Sequence, residues 1–281
     1  MMKLDKLCVG YYSPTRTSKS IAHAIAEGMN IARREDLDLT TDNGIGPIIV
    51  KDSICIISVP VYGGLIAPIA AQRLRRLQAT NCVAIPVVVY GNRDYEDALV
   101  QLRDLLIEQG FTILCGATFI GEHSYSRSEM PIAEGRPDKI DIQIAKDFGR
   151  KALMRLQEQL HIGNITDTYD KDFALMYEQP LNSLIISPKI KGNIPYKTLR
   201  PSTPQAPLVN ENCYGCGECL DWCPTGAITL TDGRSMTQIE LCTKCCACVK
   251  FCPVGGRTFD TPYTAMLHEK CKERREAELF I

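Results

Sequence analysis

Apolar runs alternate with amphipathic stretches over residues 1 to about 160. The run Leu7-Cys8-Val9-Gly10-Tyr11-Tyr12 reads as a first strand, and Ile21, Ala22, Ile25, Ala26 and Met29 recur at helical spacing across Ser18 to Met29. Ile54 to Val59 and Cys82 to Tyr90 are nearly unbroken apolar runs, as suits strands covered on both faces. Between them Pro68 to Gln78 reads as a short helix. Tyr95 to Gln109 has a helical pattern that stops at Gly110, a C-cap signal. Phe111 to Ile120 reads as the last strand and Asp138 to Leu160 as the last helix. Strands alternating with helices predict an α/β fold, a doubly wound parallel sheet with helices on both faces.

From His161 to Pro207 the periodicity fades, and six of the chain's 16 prolines fall there. That composition predicts an extended connector packed along a surface. After Pro207 the chain turns to cysteine, glycine and short apolar pieces, and the charged stretch His268 to Glu278 reads as a short helix. The expected division is therefore 1–160, a connector 161–207, and a small domain 208–281.

Lysine plus arginine number 32 and aspartate plus glutamate 33, so nothing in the balance calls for nucleic acid or an acidic membrane as partner. The first residues lack the apolar run of a signal peptide, and no apolar stretch has the length of a membrane span. The expectation is a soluble, cytoplasmic protein. Four of the 14 cysteines (Cys8, Cys55, Cys82 and Cys115) are scattered in apolar surroundings and read as packing thiols. Nine of the rest crowd between Cys213 and Cys252, and Cys271 stands alone. In a reducing compartment such a patch argues for metal over disulfides.

Within the patch, Cys213, Cys216, Cys219 and Cys223 followed by Pro224 follow C-x2-C-x2-C-x3-C-P. Cys242, Cys245, Cys248 and Cys252 followed by Pro253 repeat it, each pair 29 residues apart. Three thiolates two residues apart wrap one face of a cubane, and the fourth crosses to the other cluster. Cys213, Cys216, Cys219 and Cys252 are thus expected to hold one [4Fe–4S] cluster, and Cys242, Cys245, Cys248 and Cys223 a second. Zinc also favours C-x2-C pairs, but its pairs are set well apart, and a tight triplet suits a single tetrahedron poorly. Cys246 is an extra thiol inside the second triplet and reads as a spare core cysteine. Trp222, beside a crossing ligand, is placed to shield a cluster from water. This segment resembles bacterial two-cluster ferredoxins over roughly 65 residues.

Three loops leave the carboxyl ends of predicted strands, the edge where doubly wound sheets bind ligands. Ser13-Pro14-Thr15-Arg16-Thr17-Ser18 opens a helix with hydroxyls and backbone amides, as a phosphate cradle does. Pro60-Val61-Tyr62-Gly63-Gly64 and Gly91-Asn92-Arg93-Asp94-Tyr95 each join glycine to an aromatic that could lie on a flat ring. These loops resemble those of flavodoxins, which order five strands 2-1-3-4-5. With SPTRTSK, PVYGG, VVYGNRDYEDAL, FIGEHSYS and IAEGRPD, nearly the whole chain resembles the ferrodoxin family, a flavodoxin-like domain fused to a two-cluster ferredoxin. The resemblance implies FMN, with Ser13, Thr15, Thr17 and Ser18 at its phosphate. It sets Pro60, Val61, Tyr62, Gly63, Gly64, Gly91, Asn92, Arg93 and Tyr95 at its ring. Arg16 stands where such loops usually carry glycine, either as a counter-charge to the phosphate or as bulk that closes the loop.

The expected function is electron transfer between two clusters and FMN, with redox proteins as partners. One alternative is a flavin-dependent reductase in which His123 donates a proton and Arg93 binds substrate. The other is an iron–sulfur sensor without flavin. No protein nucleophile or acid–base pair stands out. Oxygen-sensitive clusters suggest an anaerobe.

Overall fold

The computed structural model describes residues 1–162, 173–199 and 203–281. Its main sheet holds parallel strands β1 (Lys6–Tyr11), β2 (Arg34–Asp38), β3 (Ile48–Tyr62), β4 (Leu77–Tyr90) and β5 (Gly116–Ile120). Their spatial order is β2-β1-β3-β4-β5, the flavodoxin-like order of a doubly wound sheet. Four helices cover it: α1 (Thr17–Met29), α2 (Pro68–Leu74), α3 (Ala98–Glu108) and α4 (Lys139–Gln159).

Strand alternation builds two cores. Leu7, Val9, Ile54, Ile56, Val83 and Ile85 meet α1 and α4 on one face. Cys8, Cys55, Ile57, Cys82 and Ala84 meet α2 and α3 on the other, with Cys8 directly opposite Cys55 in the register. The scattered cysteines are thus packed in the sheet, Cys115 among them just ahead of β5. Helices α1 and α4 touch backbone to backbone: a Cβ on Gly28 would lie 1.9 Å from the Lys146 carbonyl oxygen, and one on Gly149 2.1 Å from that of Ile25.

Some boundaries differ from expectation. Leu77 and Gln78 belong to β4, not to the preceding helix. Helix α3 begins at Ala98 because residues 95–97 form a turn, and β5 begins at Gly116. The charged stretch His268 to Glu278 is not a helix. Helix ends at Lys270, having started at Pro262 behind a Thr261 cap, and Glu278–Phe280 form a strand antiparallel to β5. The tail of the small domain thereby completes the edge of the large domain's sheet.

The connector packs along the surface where it is described. Leu175–Tyr177 pair with Met2–Leu4, Leu181 and Ile185 enter the first core, and the amides of Asn193 and Lys197 donate to the Asp97 carboxylate at 2.8 Å. Residues 163–172 and 200–202, including Pro201, lie outside the described residues. No helix among the described residues is long and apolar enough to cross a membrane.

Candidate functional site

The duplication in the sequence is a duplication in space. Helix α5 (Glu218–Asp221) and helix α6 (Ala247–Lys250) are 29 residues apart, each inside one cysteine run. The residue before each has a positive φ, +87° at Gly217 and +58° at Cys246. Cys246 therefore fills the position that is glycine in the first run; its thiol points at the Lys244 carbonyl, 3.6 Å away. None of the fourteen cysteines is in a disulfide.

The runs fold across each other. Cys213, Cys216 and Cys219 line one open-sided void together with Cys252 of the second run. Cys242, Cys245 and Cys248 line another together with Cys223 of the first, and with Cys246. Both crossing sulfurs accept a backbone N–H four residues on, Cys223 from Ala227 at 3.2 Å and Cys252 from Gly256 at 3.1 Å. Among the described residues no three His, Cys, Asp or Glu side chains converge as a single ion requires. The N–H donors aimed at sulfur fit a ligated thiolate.

The two rings differ in setting. In the first, Cys216 is exposed and Cys213 and Cys252 are half-buried. In the second, burial pushes Cys245 up to about 11 and Cys248 up to about 12. The second ring faces the large domain: Arg73 of α2 donates to the Pro224 carbonyl at 2.6 Å, and Lys250 of α6 pairs with Glu122 at 2.6 Å.

The loop after β1 reaches the same junction. Its cradle is built by Ser13, whose Oγ accepts the Lys19 amide at 3.0 Å while its own amide donates to Thr40 Oγ1 at 3.0 Å. Ser18 Oγ is fully buried without a partner, next to half-buried Thr15 and Thr17. Those features fit a phosphate over the first turn of α1. Arg16 points elsewhere. With φ at +67°, it lays its guanidinium over Trp222 at 4.4 Å and over Phe251 at 5.1 Å. Those rings lie 4.4 Å apart, tilted by 40°, and immediately precede the crossing cysteines Cys223 and Cys252. Arg16 is thus a contact between domains, a role neither sequence-based expectation gave it.

The other two loops are filled by the chain itself. Asn92 donates to the carbonyls of Cys271 at 2.7 Å and Glu273 at 2.8 Å and accepts the Arg275 amide at 3.3 Å, which commits both its N–H donors and its oxygen to the tail. The space beside Gly91 is taken by the His123 ring, that beside Gly64 by the Glu96 carboxylate, and that beside Gly63 by Leu199. Arg93 pairs with Glu96, which also holds Lys197, and the Tyr95 hydroxyl donates to Glu278 at 3.1 Å. Pro60 and Val61 are engaged by a return strand, through Ala67 and Ile66. Tyr62 is half-buried, with a hydroxyl that burial pushes well up.

The expectation of His123 as a proton donor is corrected. Burial, with Lys250 and Arg93 nearby, lowers it to about 4, and its Nδ1 accepts the Tyr125 amide at 3.0 Å. It is a neutral, ring-packed histidine.

The cysteine segment also contains a residue that motif reading passed over. Arg257 is 2% exposed in the wall of the first void. The 29-residue offset points to it, because its counterpart in the first repeat is Ile228.

No family model matches the chain, and no curated protein matches it in sequence. Among solved structures it is similar to a flavodoxin from the domain Archaea, 14% identical over 54% of this chain and 99% of that one, TM-score 0.36. It is similar to oxidised flavodoxin 1 from Bacillus cereus, 15% identical over 53% and 97%, TM-score 0.38. It is similar also to Fusobacterium nucleatum flavodoxin bound to flavin mononucleotide, 14% identical over 56% and 99%, TM-score 0.37. Scores this low carry no functional weight.

Proposed function

We propose that this protein transfers electrons through two [4Fe–4S] clusters, one in each ring of four cysteines, in company with FMN on the Ser13–Ser18 loop. The observation that carries the reading is the crossing of the runs, which gives each ring three thiols from one repeat and one from the other. Bound clusters would supply single-electron capacity and FMN would add a site for one or two electrons. The chain's own part is placement. Ala227 and Gly256 donate to the crossing sulfurs, the Trp222 and Phe251 rings pack together one residue before them, and Arg16, Arg73 and Lys250 hold the cluster segment on the loop edge. This reading matches the ferrodoxin family that the motifs resemble.

The flavin half has uneven support. The phosphate end fits, through Ser18 and the first turn of α1. The ring end does not fit as the loops stand, since Asn92 and the spaces beside Gly63, Gly64 and Gly91 are used by the chain. That observation favours a second reading, an iron–sulfur module without flavin. Iron, sulfide and flavin content of protein purified without oxygen separates them. About eight irons with one FMN supports the first reading, about eight irons without flavin the second, and zinc or no iron overturns both.

A further inference from the structure

Arg257 is a cation in an unusual place. At 2% exposure its guanidinium donates to Ser235 Oγ at 2.7 Å, to Thr237 Oγ1 and to the Pro207 carbonyl at 3.3 Å. Nη1 lies 4.0 Å from Cys219 Sγ, and Nε has no partner. Among the described residues no carboxylate lies within ion-pair distance of it; Glu218, on the rim of the same void, is exposed. A buried charge without a counter-charge costs several kcal/mol in real proteins, so a chain that keeps one has a negative partner for it. Every partner among the described residues is a neutral oxygen or a sulfur.

The sulfurs identify the missing charge. Arg257 is five residues past crossing Cys252, and Ile228 is five residues past crossing Cys223, so one cation stands where the repeat has an apolar side chain. It stands in the wall shared by Cys213, Cys216, Cys219 and Cys252, with Nη1 4.0 Å from Cys219 Sγ. We infer that Arg257 is the internal counter-charge of the anionic iron–sulfur clusters, so that the cluster segment packs stably only when the clusters are in place. This rests on the cluster reading above and adds to it a residue with opposite effects in the two states. With clusters bound, the guanidinium offsets their negative charge and favours reduction, which adds one electron and makes the occupant more negative. Without them it is an unpaired buried charge that loosens the segment.

Arg73 is the other buried cation near the rings, but it differs. It is spread over the Leu39, Thr40 and Pro224 carbonyls and Asn43, and it lines neither void.

The test uses the full chain with Arg257→Met and Arg257→Lys, after iron and sulfide analysis of the unsubstituted protein. Absence of iron there would defeat the cluster reading itself. With about eight irons present, the Met variant should lose iron to a chelator at least tenfold faster. Its clusters should also be harder to reduce in a spectroscopic redox titration, by a tenfold equilibrium shift or about 59 mV for one electron. The Lys variant should recover most of both. After removal of iron the order should reverse, with the Met variant's residues 208–260 exchanging amide hydrogens more slowly than those of the apo protein with Arg257. Unchanged potential and iron loss in the Met variant would overturn the proposal. Faster exchange in the iron-free Met variant would do so too, because it would mark Arg257 as a packing residue only.

Discussion

Replacing Asn92 with alanine tests whether this residue serves the tail. The carboxamide makes three hydrogen bonds to the backbone of residues 271–275 and is 3% exposed. At about 1 kcal/mol per neutral bond, the variant should weaken tail docking by roughly 3 kcal/mol, less whatever entering water restores. Since 1.36 kcal/mol is tenfold, opening of the tail should become about a hundredfold more frequent. The sheet itself keeps its bonds, so hydrogen exchange should rise in residues 271–280 and stay level in β1, β3 and β4. Asn92→Asp should be at least as harmful, because a carboxylate oxygen would replace the donor 2.7 and 2.8 Å from two carbonyls. Tail exchange within about threefold of the unsubstituted protein would refute this reasoning. A variant whose sole defect was flavin affinity would return Asn92 to the ring of the cofactor.

Because the runs cross, Cys252→Ala should strip the first cluster; adding Cys216→Ala should then cost no further iron, while adding Cys245→Ala should remove the rest. The opposite pattern would mean that each run holds its own cluster. Arg16→Ala gives up a cation–π contact of about 0.5–1 kcal/mol, whereas Arg16→Gly loses the contact but is relieved of about 1 kcal/mol at φ +67°. Glycine should therefore dock the cluster segment better than alanine in a hydrogen-exchange comparison, and the reverse ranking would deny the left-handed backbone. His123 sits at about 4 in the folded chain and near 6.5 unfolded, so the unfolded state takes up the proton first. Its contribution is complete above pH 6.5 and is lost as pH falls toward 4, at most about 3 kcal/mol; His123→Gln should flatten that part of a stability-versus-pH curve, and an unaltered slope would contradict the buried, neutral ring.

The large domain was legible where burial writes itself into the chain. β3 and β4 are apolar runs because both faces are covered, and α1 and α4 show a single apolar stripe. β2 could not be located that way, since Arg-Glu-Asp-Leu-Asp is an exposed edge strand held by backbone pairing with β1. The tail misled for a related reason: Arg274 and Glu276 look helical by charge, yet they pair with Asp138 and with each other across an extended segment. Cysteine spacing was informative about the crossing of the two runs, because three closely spaced cysteines of each line one void with the fourth of the other. Glycine was ambiguous. The spaces at Gly63, Gly64 and Gly91 were foreseen, but a sequence does not say whether a ligand or the chain's own Leu199, Glu96 and His123 will enter them. Arg16 and Arg257 lie outside any motif, and their partners are brought together only by the tertiary fold.

The strand Glu278–Phe280 has a consequence for how the protein is made. β5 emerges from the ribosome about 160 residues before the segment that pairs with it, and the Glu278 amide reaches Thr118 only after the whole cysteine segment has been synthesised. Through that interval the nascent sheet presents one unpaired edge, the kind of surface that recruits other chains. Closing it requires a stretch that must first be routed past Asn92. A newborn chain whose cysteine segment stays unfolded would keep the edge open, so a failure within residues 213–252 would be displayed as an unpaired strand at β5.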